Sequence, residues 1–201
     1  MISTIFGLPG AGKSSLLAWA ADQALHDKPL SVGHAPFWRV SMTDHSHYDR
    51  VYCNFPIKGT YMLQWDDLGK YDFSNSLILI DEITLSADSR KWKNFGDDKV
   101  YFFSMHRHYN CDILIAAQAY DRMDRTIRDL SAKFFYLRNE GSKTRIIPIS
   151  RDWQPEKMSE KFSLEARLSC SMLKRKNYYH MFDSFACAAM PANPANMWEV
   201  V

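Results

Sequence analysis

Residues 7–14 read Gly7-Leu8-Pro9-Gly10-Ala11-Gly12-Lys13-Ser14. The stretch satisfies G-x-x-x-x-G-K-[ST] at every defined position. Its flanks agree with it. The apolar run Ile2 to Phe6 predicts a strand before the loop, and Ser14 to Leu25, rich in Leu and Ala, predicts a helix after it. Glycines let the loop backbone curl, so that its N–H groups turn inward toward phosphate oxygens. The new helix points the positive end of its dipole at the same place. Lys13 has the reach for β- and γ-phosphates, and the Ser14 hydroxyl can ligate Mg²⁺. The candidate nucleotide-binding residues are Gly7, Pro9, Gly10, Ala11, Gly12, Lys13, Ser14 and Ser15, with ATP and Mg²⁺ as the expected cofactors. A plain glycine-rich turn before a helix would account for the glycines, but not for Lys13-Ser14 set between these flanks.

Leu77-Ile78-Leu79-Ile80-Asp81-Glu82 is the second signal. A strand apolar at every position is buried on both faces, as in a parallel sheet. Its C-terminal end lies at the sheet rim, where ligands bind. Asp81, with Ser14, is a candidate for holding Mg²⁺, and Glu82 for polarising the attacking water. Many strands end at a charge, so the pattern gains its meaning from the loop at residues 7–14. Asp112 to Ala117 predicts another buried strand, and Gln118 at its tip can meet a γ-phosphate or the attacking water.

Met105-His106-Arg107-His108 precedes that strand. Two histidines as H-x-H supply too few ligands for a metal site. A helix end that favours positive charge is the bland reading. Arg107 as an arginine finger, in cis or toward a neighbouring subunit, is the functional one. Arg122, Arg125 and Arg128 compete for that role. With Lys133 they make a local basic stretch that could meet a phosphate backbone, or equally a solvated helix.

Elsewhere, Arg50 to Phe55 predicts a strand, Val100 to His108 and Asp124 to Leu130 predict helices, and residues 33–49 read as polar and irregular. Lys133 to Arg138 and Thr144 to Ser150 predict strands joined by the turn Asn139-Glu140-Gly141-Ser142. Strands alternating with helices indicate an α/β fold with a largely parallel sheet. The pattern weakens after Pro155. Residues 1–150 are therefore read as the core and 151–201 as an extension packing on it, with an added strand near 178–182.

The 201 residues suit one domain. With 25 Lys and Arg against 23 Asp and Glu, the net charge of +2 excludes a globally basic coat for duplex DNA, so nucleic-acid contact needs a local patch. No apolar run approaches the ~18 residues of a membrane-spanning helix, and no secretory signal is expected. Cysteines at 53, 111, 170 and 187 fit neither a zinc site nor a disulfide framework, which points to thiols in a reducing compartment.

Taken together, the loop at 7–14, Tyr52-Cys53-Asn54-Phe55 with its following glycine turn, Leu77 to Glu82 and above all His106-Arg107-His108-Tyr109-Asn110-Cys111-Asp112-Ile113 running to Gln118 resemble the zonular occludens toxin (Zot) family, the assembly ATPases of filamentous bacteriophages. Asp124 to Leu130, Lys133 to Arg138 and Tyr178 to Ser184 continue the resemblance. It implies a RecA-like P-loop core of the kind found in hexameric DNA-pumping ATPases. It implies a ring-shaped homo-oligomer that couples ATP hydrolysis to export of single-stranded phage DNA, with phage coat or membrane assembly proteins as partners. Gln118 falls on the family's sensor position. The implied location is the host cytoplasm, peripheral at the inner membrane. Family members usually carry a transmembrane helix after the ATPase domain, and this sequence shows none.

Two other functions fit the loop. A small-molecule or nucleotide kinase would need a lid with several arginines, and Ser86 to Lys99 holds just Arg90. The Asp81-Glu82 doublet also favours hydrolysis over transfer. A nucleotide-binding assembly protein without turnover is the other alternative.

Overall fold

A computed structural model describes residues 1–34, 38–82, 96–120, 123, 125–154, 159–164 and 171–183. Three short strands in which every residue is buried form its centre: β1 (Ile2–Phe6), β6 (Ser76–Ile80) and β7 (Asp112–Ala117). Burial on both faces favours apolar side chains at successive positions, as at Leu77 to Ile80 and Ile113 to Ala117. The buried hydroxyls of Ser3 and Thr4 in β1 are hydrogen-bonded to Met42 O at 2.6 Å and Ser131 Oγ at 2.8 Å. Around them lie β4 (Arg50–Cys53), β5 (Tyr61–Met62), β8 (Lys133–Glu140), β9 (Lys143–Gln154), β10 (Ser159–Leu164) and β11 (Ser171–Lys174). The sheet order is β10-β9-β8-β1-β7-β6-β4-β5, and β11 also pairs with β9. From β8 to β5 every pairing is parallel, and β9 then adds antiparallel pairings to β8, β10 and β11.

Helices cover both faces. α1 (Lys13–Leu25) packs Leu16, Leu17 and Ala20 on one face, in a core shared with Leu79, Leu114, Phe135 and Leu137. α2 (Asp97–Met105) and α3 (Arg125–Leu130) cover the other, where Phe102, Phe103 and Ile127 meet Ile2, Ile78, Ile113 and Phe134. Alternate residues of each central strand thus feed two separate cores. This is the α/β, mostly parallel arrangement that the alternating pattern predicts.

Three departures have physical causes. Residues 33–49 are not wholly irregular, because β2 (Ser31–His34) and β3 (Trp38–Ser41) form a small antiparallel sheet of their own. β2, Ser-Val-Gly-His, carries a single apolar side chain, and β3, Trp-Arg-Val-Ser, alternates over just four residues, the lower limit at which a strand is recognised. Residue 150 marks no break, since β9 runs through it to Gln154. The C-terminal part adds two strands, β10 at Ser159–Leu164 and β11 at Ser171–Lys174, and neither falls at 178–182. A 3₁₀ turn (Arg175–Asn177) follows β11, and Phe182 makes a single bridge to Ile57. Residues 83–95, which hold most of the Ser86 to Lys99 segment and Arg90, lie outside the described residues, as do Arg122, Asp124, Cys170 and 184–201. No helix among the described residues is long and apolar enough to cross a membrane.

Candidate functional site

Three parallel strands deliver the chemistry to one end of the sheet. β1 opens into the loop at 7–12, β6 ends in Asp81-Glu82, and β7 ends in Gln118. Because β7 lies between β1 and β6, Gln118 emerges between the loop and the acidic pair. Its Nε2 donates to Glu82 Oε2 at 2.7 Å. Lys13 Nζ stands 4.0 Å from Glu82 Oε1 and donates to the carbonyls of Gly7 at 2.9 Å and Leu8 at 3.4 Å. Ser14 Oγ donates to Asp81 Oδ2 at 2.5 Å. Thus Lys13, Ser14, Asp81, Glu82 and Gln118 converge from three separate stretches of sequence.

The acidic pair is positioned by more than its strand. Asn54, just beyond β4, clamps the Asp81 backbone: its Nδ2 donates to Asp81 O at 2.8 Å and its Oδ1 accepts from Asp81 N at 2.7 Å. Burial pushes the Asp81 carboxyl above its ordinary pKa, and the hydrogen bond from Ser14 works against that rise. Glu82 adopts a left-handed φ of 53°, a costly conformation for a side chain of its size. Strain of this kind persists where the surroundings over-determine it. Here Glu82 N donates to Asp81 Oδ1 at 3.0 Å while Gln118 holds the carboxylate.

The loop is braced from outside by residues that local sequence reading does not identify. Gly10 O accepts from Arg175 Nη1 at 2.9 Å and from Asn139 Nδ2 at 3.2 Å, and Ala11 O accepts from Thr144 Oγ1 at 2.7 Å. Arg175 Nη2 in turn donates to Asn139 Oδ1 at 3.1 Å. Pulling these carbonyls outward leaves the opposite side of the loop free to present N–H groups to an anion. Gly12, with φ 94°, sits against this brace: a Cβ there would lie 2.2 Å from Thr144 Oγ1 and 2.8 Å from Arg175 Cδ. Only glycine satisfies both the dihedral and the space.

A cleft of about 560 Å³ runs over the loop, lined among others by Lys13, Ser14, Glu82, Arg175, Tyr179 and Phe182. It falls in the size range of small-molecule sites. No cluster of three or more His, Cys, Asp or Glu among the described residues could hold a metal ion. Mg²⁺ does not require one, since it is commonly held by one or two protein oxygens together with phosphates and water. The adjacent hard oxygens of Ser14 and Asp81 fit that requirement.

Arg107 lies elsewhere. It is exposed on the 3₁₀ turn His106–Tyr109, just before β7 begins, whereas Gln118 lies past its end. Six residues of strand at ~3.3 Å each separate them by about 20 Å. Arg107 therefore does not reach its own chain's cleft, and the in-cis arginine finger is corrected on that ground. His106 is buried, with Nδ1 bonded to Phe103 O at 2.7 Å. The other basic candidates among the described residues are engaged within the chain: Arg125 faces Asp129 at 3.4 Å, Arg128 lies 5.1 Å over the Tyr120 ring, and Lys133 donates to Ser41 O at 3.0 Å.

A phosphate-type loop after β1, an acidic pair after β6, and a polar tip after β7 between them, on a mainly parallel sheet, define a P-loop NTPase fold. The model of the zonular occludens toxin (Zot) family matches residues 43–186, and the chain belongs to that family. The matched span includes Asp81, Glu82, Gln118 and Arg175. The crystal structure of the N-terminal domain of zonular occludens toxin from Neisseria meningitidis is similar at a TM-score of 0.52 and 18% identity, over 90% of this chain and 98% of that one. The genome packaging NTPase B204 from Sulfolobus turreted icosahedral virus 2, in complex with ATP-gammaS, is similar at a TM-score of 0.43 and 8% identity, over 80% of this chain and 95% of that one. No curated protein sequence matches the chain.

Proposed function

We propose that the protein is an ATP-hydrolysing motor that moves single-stranded DNA during filamentous phage assembly. The observation that carries the reading is the contact of Gln118 with Glu82, opposite Lys13 and beside the Ser14–Asp81 pair. A carboxylate held in a strained backbone, next to an amide and across from the phosphate-binding lysine, is suited to orient and polarise a water for attack on a γ-phosphate. Lys13 would bind β- and γ-phosphate oxygens. Ser14 and Asp81 would hold Mg²⁺, which supplies charge neutralisation at those oxygens. Family membership supports the phage role and a ring of identical subunits. In such a ring Arg107, remote from its own cleft, is free to serve a neighbour's. Phage coat or membrane assembly proteins would be further partners, and the working location the host cytoplasm at the face of the inner membrane.

The test is phosphate release by the oligomeric protein with Mg²⁺ and ATP, with and without single-stranded DNA. Lys13→Ala is expected to lose nucleotide binding. Glu82→Gln is expected to keep binding while turnover falls about 10²-fold or more. Wild-type turnover no higher than that of the two variants, with DNA present, would overturn the ATPase reading.

A further inference from the structure

The pairing of β8, β9 and β11 fixes which of their side chains share a face. Arg138 stands opposite Arg145, which stands opposite Met172. One row closer to the turn, Glu140 stands opposite Lys143, which stands opposite Lys174. Side chains two apart on a strand lie on one face, so these six share it. Leu137, Ile146 and Leu173, each one position from a member of the six, point to the opposite face and join the core under α1. The six-residue face therefore holds four cations and one carboxylate. Glu140 is taken up by Arg145, whose Nε lies 2.6 Å from its Oε1 and whose Nη2 donates to Oε2 at 3.0 Å. Arg138, Lys143 and Lys174 are exposed, with exposed Lys176 just beyond. The chain as a whole is nearly neutral, so this is a local concentration of charge.

The same strands brace the phosphate loop from their other face. Asn139 lies between Arg138 and Glu140, Thr144 between Lys143 and Arg145, and Arg175 directly follows Lys174; all three hold loop carbonyls. From this alternation we infer that the face of Arg138, Lys143 and Lys174 docks the phosphate backbone of single-stranded DNA, and that the shared strands couple that contact to the nucleotide loop. The inference rests on the motor reading for its partner. The basic stretch from Arg125 to Lys133 is a weaker candidate, because its described cations are committed to Asp129, Tyr120 and Ser41.

The experiment is binding of a fluorescent oligothymidylate to the full chain across a salt series, for wild type, Lys143→Glu/Lys174→Glu and the milder Lys143→Gln/Lys174→Gln. ATP binding and the melting curve of each protein are measured alongside. Charge reversal is expected to weaken DNA binding about tenfold or more at low salt. It should also flatten the dependence of log affinity on log salt by about 0.7 for each phosphate no longer neutralised. The glutamine pair should show a smaller loss in the same direction, and ATP affinity should stay within twofold. Unchanged DNA affinity in both pairs would overturn the inference, as would a wild type that binds no oligothymidylate. A loss that tracks a change in oligomer mass would overturn it in favour of a subunit contact. Absence of ATP binding in wild type would instead count against the motor reading, and the two failures are read from separate signals.

Discussion

At Gly12 and Thr144 a backbone requirement and a side-chain hydrogen bond meet in one small space. The hydroxyl of Thr144 donates to Ala11 O and occupies the volume that a Cβ on residue 12 would need. The two positions should therefore fail differently. Gly12→Ala must change both φ and the position of Thr144, and is expected to abolish nucleotide binding. Thr144→Val keeps the shape and removes the donor, at a cost of about 1 kcal/mol, or roughly fivefold in affinity. A titration with a fluorescent nucleotide separates them, and wild-type affinity in Thr144→Val would show that the brace does not orient the loop. The loop itself was legible because its requirements are local: glycines at fixed offsets, a lysine, a hydroxyl and the correct flanks. Thr144 was not, because it lies 133 positions away in a strand where a threonine is ordinary. Asn54 was similarly hidden: the end of a predicted strand locates it, but only the sheet order puts it beside Asp81.

Among the elements, β6 and β7 were legible for the reason they are stable: burial on both faces favours continuous apolar runs, and β1 departs from that only at Ser3 and Thr4, whose buried hydroxyls are hydrogen-bonded. The edges were harder to read. β9 extends to Gln154 by pairing in turn with β11 and β10, and no single segment announces that. The His106 to His108 segment shows how a charged motif divides on folding. Arg107 and His108 stay exposed, while His106 is buried at the end of α2. Burial lowers the His106 pKa, and its hydrogen bond to Phe103 O works against that drop. The folded state thus prefers neutral imidazole. Its contribution to stability is full above the unfolded histidine value of about 6.5, and is lost as pH falls below that through the folded value. Urea midpoints at pH 7.5 and 5.5 should fall more for wild type than for His106→Gln. Equal falls would show that His106 does not charge on unfolding.

For the molecule as a whole, the sheet joins the nucleotide cleft to both cores, and two buried thiols report on it. Cys53 lies at the cleft end of β4, and Cys111 lies just before β7 at the opposite end. Burial pushes both thiols up, Cys111 to about 12, so neither reacts while the fold is closed. Alkylation of each therefore measures opening of the sheet around it. A nucleotide that binds only the closed form at 100 times its Kd stabilises that form by about 2.7 kcal/mol, a factor of roughly 100 in the population of any opening that disrupts the cleft. If the sheet opens as one unit, ATP with Mg²⁺ should slow labelling of Cys53 and Cys111 by the same large factor, read peptide by peptide in a mass spectrometer. If only Cys53 is protected, the end of the sheet bearing Arg107 opens independently of the cleft. An arginine contributed from that end to a neighbour's nucleotide would then be positioned by subunit contacts and not by the nucleotide bound in its own chain.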